Sequence, residues 1–170
     1  MNSEIFYSST YDSPLGIYLI LSSTKGIVCI ASENETADWL RRFHRLGNIQ
    51  PGNQQNAAVV QQLAAYFNGE LQTFDLPLDL RGTTFQVTVW EELRRVPYGK
   101  ACSYRDIAIA IGRPGAARPG GGAVGANPVA IVVPCHRVIG TDGSLTGYGG
   151  GLWRKTALLA LESHSLSPHD

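Results

Sequence analysis

Cys135 and His136 stand side by side in the run Pro134-Cys135-His136-Arg137-Val138-Ile139, preceded by Ile131-Val132-Val133. The run offers a soft nucleophile next to a side chain that can take its proton. Thiolate is the reactive form of cysteine, and a nearby imidazole is one way to generate it. A glycine-rich stretch, Gly147-Tyr148-Gly149-Gly150-Gly151, follows, and glycines let backbone approach a ligand closely. The competing assignment is an inert cysteine at a buried strand end, since cysteine packs well as a small hydrophobe. Adjacent side chains on a strand point apart, so the neighbours are not automatically a couple.

The chain that must position this pair has 170 residues, enough for one domain or two small ones. Its apolar fraction of 44% permits an ordinary core. Cys29, Cys102 and Cys135 show no disulfide framework and no zinc-finger spacing. That suits a reducing compartment and a reactive thiol. No apolar run reaches transmembrane length and no signal-peptide core is visible, so the expected location is cytoplasmic. The net charge of zero hides an asymmetry. Residues 1–80 hold 4 basic and 8 acidic side chains, whereas residues 81–162 hold 10 basic and 5 acidic ones. The second part is therefore the one suited to a polyanion, although a solvated basic face accounts for the same numbers.

Alternation and turn residues predict strands over 5–11, 17–21 and 26–31, forming an antiparallel sheet with a turn at 12–16. Helices are predicted over 36–46 and 56–67, with a polar loop over 48–56 and an extended stretch over 74–80. A boundary falls near Arg81-Gly82. Beyond it, an amphipathic helix is predicted over 84–96 with Phe85, Val89, Trp90 and Leu93 inward, stopped by Pro97-Tyr98-Gly99. Ser103 and Asp106 form a capping-box-like start to a short helix over 103–111. The turn Gly112-Arg113-Pro114-Gly115 and a further segment over 116–126 complete a pattern similar to a helix-turn-helix. A last helix spans 152–162. The expected fold class is α+β, with domains at 1–80 and 81–163 and a flexible tail at 164–170.

In this order the segments resemble the O6-alkylguanine-DNA alkyltransferase (methylated-DNA–protein-cysteine methyltransferase) family. The resemblance rests on Phe85 to Trp90, Pro97-Tyr98-Gly99, Ser103-Tyr104, Ala116-Ala117-Arg118, Gly125-Ala126-Asn127-Pro128, Pro134 to Ile139, Gly147 to Leu152, and Glu162. It is dense from about Gly82 to Glu162 and looser over the first half, including Tyr66-Phe67 and Leu78-Asp79-Leu80. It implies a small ribonuclease H-like N-terminal domain and an all-helical C-terminal domain containing the helix-turn-helix. It also implies a suicidal repair activity, in which a monomer binds duplex DNA in the minor groove and flips out O6-alkylguanine. The alkyl group moves irreversibly onto Cys135, once per molecule and without a cofactor.

The resemblance also implies residue roles. Cys135 is the nucleophile, His136 draws its proton through a water, and Glu162 orients His136. Tyr104 donates to N3 of the leaving base, and Asn127 braces the turn before the cysteine. Val138, Tyr148, Gly149 and Ala130 line the substrate pocket. Arg118 takes the place of the flipped nucleotide, while Ala117, Gly122, Ala123 and Tyr104 meet the DNA. Two departures from the family pattern stand out. Pro119-Gly120 replaces a usual Ala-Val, and Gly121-Gly122 follow. The expectation is a helix starting after Arg118, or a segment ordered only on DNA, with duplex affinity lowered and chemistry intact. Ala130 stands where relatives often carry proline. Cys29 and His44 are too few for the structural zinc of some relatives, so no metal is expected. A lesion binder or regulator would not need Cys135, and a Cys–His hydrolase would need an oxyanion hole that no motif here announces.

Overall fold

Residues rich in Ile, Val, Tyr and Leu build the first strands of the computed structural model, which describes residues 3–165. The chain divides into two units, Met1–Leu80 and Arg81–Asp170, and mixes strands with helices. In the first unit, β1 (Glu4–Ser13) and β2 (Gly16–Ser22) form an antiparallel hairpin, paired from Tyr7 opposite Ser22 to Ser13 opposite Gly16. β3 (Ile27–Ser32) pairs antiparallel with β2. The stretch predicted as extended runs beside it, with Ile27 bridged to Leu78.

The polar loop predicted over 48–56 is corrected in part. Gly47–Pro51 forms β4, which pairs in parallel with β1, with Glu4 opposite Gly47 and Phe6 opposite Ile49. The sheet order is β3-β2-β1-β4, so the sheet is mixed and not purely antiparallel. An edge strand tolerates polar side chains and a terminal proline, which is why its pattern reads as a loop. Gly47 is required there, because a Cβ would overlap the carbonyl oxygen of Glu4.

Both sheet faces are covered. On one lies α1 (Thr36–His44), two residues shorter than predicted, whose Phe43 joins Phe6, Leu19, Leu21, Val28, Cys29 and Ala31 in a buried cluster. On the other lies α2 (Ala57–Phe67), which buries Val59, Leu63 and Tyr66 and sets Phe67 beside Tyr11 and Tyr18. Asn56, fully buried before α2, accepts from Ser22 Oγ at 2.6 Å and donates to the Tyr7 carbonyl at 3.0 Å.

In the second unit, α3 (Thr84–Leu93) starts at a capping box between Thr83 and Gln86 and buries Val89, Trp90 and Leu93. Phe85, predicted inward, is half-buried, with the Arg113 guanidinium 5.5 Å from its ring centroid. The helix ends before Val96, because Arg95 and Val96 bond to carbonyls three residues back, in a tightened turn ahead of Pro97. α4 (Tyr104–Ala110) starts at the predicted Ser103–Asp106 capping box. α5 (Ala117–Gly125) follows the turn at Gly112.

The start of α5 corrects the expectation about Pro119. The helix begins at Ala117, so Arg118 and Pro119 lie inside its first turn. The amide nitrogens of that turn have no partner within the helix, so proline removes no bond there. The first such bond is from Gly120 N–H to the Ala116 carbonyl at 2.8 Å. The all-helical second domain is also corrected. β5 (Cys102–Ser103) pairs in parallel with β6 (Val138–Ile139), and Cys135–Arg137 form a 3-10 turn. The last helix, α6 (Leu152–Ser165), runs past Glu162. It takes in the first two positions of the expected tail; residues 166–170 lie outside the described residues.

Candidate active site

Cys135 is delivered by a tightly braced stretch of chain. Asn127 Nδ2 donates to the Val133 carbonyl at 2.8 Å, and its Oδ1 accepts from Val129 N–H at 3.0 Å. Between these anchors Ile131 is buried with a φ of 72°, an outlier for a β-branched residue. Such a conformation costs about 1–3 kcal/mol and persists only where surrounding structure enforces it. The Cys135 N–H donates to the Val133 carbonyl at 2.8 Å and opens the 3-10 turn. Cysteine and histidine therefore do not alternate across a strand, and the objection to their adjacency lapses. Cys135 is 9% exposed and His136 is fully buried.

The buried carboxylate of Glu162 organises the histidine. His136 Nε2 lies 2.6 Å from Glu162 Oε2. Arg137 Nε donates to Glu162 Oε1 at 2.8 Å and Nη2 to Oε2 at 3.0 Å, while the Gly99 N–H reaches Oε1 at 3.3 Å. Arg137 also donates to the Val96 carbonyl at 2.7 Å. Burial pushes the His136 pKa below its ordinary value; the Glu162 contact opposes this, and Arg137 and Lys155 add to it. The ring is therefore neutral at pH 7, and the Glu162 contact places its proton on Nε2. That leaves Nδ1 as the basic lone pair, and among the described residues Nδ1 is buried without a hydrogen-bond partner.

A further basic side chain lies within electrostatic reach of the thiol. Lys155, fully buried on α6, donates through Nζ to the Thr146 carbonyl at 2.9 Å. Burial lowers its pKa, and the charge of Cys135 opposes that shift. Tyr104, the first residue of α4, meets the same loop, its hydroxyl accepting from Thr146 Oγ1 at 3.3 Å and lying 3.5 Å from the Thr146 carbonyl. The arrangement sets the thiol next in the chain to a neutral imidazole with an open lone pair, and within electrostatic reach of buried Lys155. It can generate and stabilise a thiolate in a nearly dry site.

Comparison with known proteins bears on what such a thiolate attacks. A family model described as 6-O-methylguanine DNA methyltransferase, DNA binding domain, matches residues 84–164. A second, described as 6-O-methylguanine DNA methyltransferase, ribonuclease-like domain, matches residues 6–80. The chain belongs to the 6-O-methylguanine DNA methyltransferase family. The methylated-DNA–protein-cysteine methyltransferase of Mycobacterium leprae is 47% identical over 95% of both chains. That of Mycolicibacterium paratuberculosis is 64% identical over 62% of this chain, an alignment spanning 64% of that relative. Among solved structures, the O6-methylguanine methyltransferase of Mycobacterium tuberculosis is similar with a TM-score of 0.84, 46% identity, and coverage of 97% of this chain and 96% of that one. A structure of the M. tuberculosis protein in complex with DNA matches with a TM-score of 0.83, at 45% identity and 96% coverage of each chain.

Within this 6-O-methylguanine DNA methyltransferase fold, Cys135, His136 and Glu162 come together, and Asn127 lies in the turn that delivers them. Val138 is fully buried in β6, and Ala130 is half-buried. Tyr148 is half-buried and Gly149 exposed, in the loop that Lys155 and Tyr104 both touch through Thr146. On α5, Arg118 and Gly122 are exposed and Ala117 is half-buried. Ala123 departs from the expected exposed face: it is buried, and its carbonyl accepts from Trp90 Nε1 at 2.8 Å. That bond ties α5 to the indole of α3. Sequence reasoning missed Arg137 and Lys155. The first directly follows the Cys–His pair, and the second lies seven residues before Glu162 on the same helix, a spacing that puts both on its inner face.

Proposed function

We propose that this protein is a DNA-repair methyltransferase that flips O6-alkylguanine out of duplex DNA and transfers the alkyl group once to its own Cys135. The observation that carries this reading is the 2.6 Å contact of His136 Nε2 with Glu162, which leaves a buried Nδ1 on the residue next to Cys135 in the chain. In the proposed sequence, Nδ1 takes the Cys135 proton through a water, and Lys155 stabilises the thiolate. The sulfur attacks the sp³ carbon of the O6 substituent; an S–C bond forms as the C–O bond breaks, and the electron pair leaves on guanine. The Tyr104 hydroxyl turns from the Thr146 loop to donate to N3 and offset that charge. Nothing in the mechanism cleaves the resulting thioether, so each molecule acts once.

We assign the lesion recognition to residues 81–163, with α4 and α5 acting as a helix-turn-helix. α5 enters the minor groove, where exposed Arg118 fills the gap left by the flipped base and Ala117 and Gly122 permit close approach. Residues 1–80, the ribonuclease-like part of the family, act as support. The solved M. tuberculosis relative in complex with DNA supports a duplex partner. The protein works as a cytoplasmic monomer in this reading. Cys135→Ala tests it: the variant is expected to bind an O6-methylguanine duplex as tightly as the parent and to leave the lesion intact. Repair by Cys135→Ala would remove the cysteine from the chemistry.

A further inference from the structure

Trp153 has no place in the chemistry above; it is 57% exposed and packs against Arg154 and Gly151. The guanidinium carbon of buried Arg154 lies 4.3 Å from its ring centroid. The same guanidinium donates through Nη1 to the Gly150 carbonyl at 2.7 Å. A planar guanidinium can stack on an aromatic face and hydrogen-bond in its own plane together. The indole also rests on Gly151, where a Cβ would come within 3.2 Å of Trp153 Cδ1 and Nε1 and where φ is +96°.

These contacts matter because of what they hold. Gly149, Gly150 and Gly151 are consecutive, and glycine has the largest backbone freedom of any residue. Such a segment keeps a defined shape only through outside restraints. The Gly151 N–H donates to the Tyr148 carbonyl at 2.8 Å, and Arg154 takes the Gly150 carbonyl. Lys155, the next residue on α6, takes the Thr146 carbonyl at the other end. Two successive basic side chains thus hydrogen-bond the loop at both ends to one helix turn.

We propose that Arg154 and Trp153 are positioning residues for the base pocket, Trp153 fixing the Arg154 guanidinium and Arg154 fixing the glycine loop against which the flipped guanine lies. The inference rests on the reading of Tyr148 and Gly149 as the pocket wall. It deepens that reading by making guanine recognition depend on an exposed side chain outside the pocket.

The test compares two reactions of Cys135 in the full-length protein, followed by intact mass. Free O6-benzylguanine needs the pocket wall; iodoacetamide needs only the thiolate. Trp153→Ala and Arg154→Lys are expected to slow the benzylguanine reaction about tenfold or more, since small misplacement of a substrate costs that much, while iodoacetamide rates stay within about twofold. Trp153→Phe, which keeps an aromatic face, is expected to recover most of the rate. Equal losses in both reactions would overturn the proposal in favour of general loosening, and unchanged benzylguanine rates would overturn it outright. If the unsubstituted protein reacts with iodoacetamide but not with benzylguanine, the pocket reading fails first and takes this inference with it.

Discussion

At the scale of single residues, the site depends on one carboxylate with two tasks. Glu162 fixes the His136 tautomer and neutralises buried Arg137. Glu162→Gln keeps the shape and leaves the Arg137 charge without its partner, an effect expected to cost about 3–5 kcal/mol. Thermal unfolding should show a large fall in Tm, and a variant as stable as the parent would contradict the arrangement. His136→Gln is expected to slow alkyl transfer about a hundredfold or more, the usual share of a positioned base, when rates are read on an O6-methylguanine duplex. The pH dependence has a definite sign. Burial holds the folded His136 pKa below the ordinary 6.5, so the unfolded chain binds that proton more readily. This contribution to stability is complete above pH 6.5 and is lost as the pH falls from there towards the folded value. The acid limb of the transfer rate is expected to have its midpoint below 6.5, and a midpoint above it would mean that His136 is not the base. Cys135 and His136 were singled out in the sequence by their adjacency, whereas Glu162 came only from the family resemblance, since by itself it reads as an acid on a helix surface. Arg137 and Lys155 were not, since a basic side chain in sequence looks solvated until its burial is seen.

At the scale of elements, α5 is the one whose composition works against it. Four glycines lie within its nine residues, each costing about 1 kcal/mol relative to alanine. A Cβ at Gly122 or Gly125 would meet nothing within 4 Å. Gly125→Ala and Gly122→Ala are therefore expected to raise stability by up to about 1 kcal/mol each, read as a higher denaturation midpoint. If the Gly122 side of α5 lies against the minor groove, Gly122→Ala gains stability and loses duplex affinity together; gain without loss would move the DNA elsewhere. β4 behaves oppositely. Gly47→Ala is expected to cost about 1–3 kcal/mol, as overpacking does, because its Cβ overlaps Glu4 backbone. The capping boxes at Thr83 and Ser103 could be read in advance because the motif itself supplies the hydrogen bonds. β4, β5 and β6 could not, because their pairing partners lie far along the chain and few of their side chains carry a pattern.

At the scale of the whole chain, the charge asymmetry and the two units point the same way. The basic excess lies in residues 81–162, the part matched by the DNA-binding family model. Duplex affinity is expected to fall steeply with salt, by about tenfold or more between roughly 50 and 200 mM, as neutralised phosphates release counterions. An affinity indifferent to salt would argue against phosphate contacts. The most direct measurement is intact-protein mass spectrometry during titration with an O6-methylguanine duplex, followed by peptide mapping. The account predicts one added methyl per molecule, on Cys135, with the gain stopping at one equivalent and guanine restored in the duplex. Restored guanine with no adduct, continued repair beyond one equivalent, or a methyl group on another residue would contradict it.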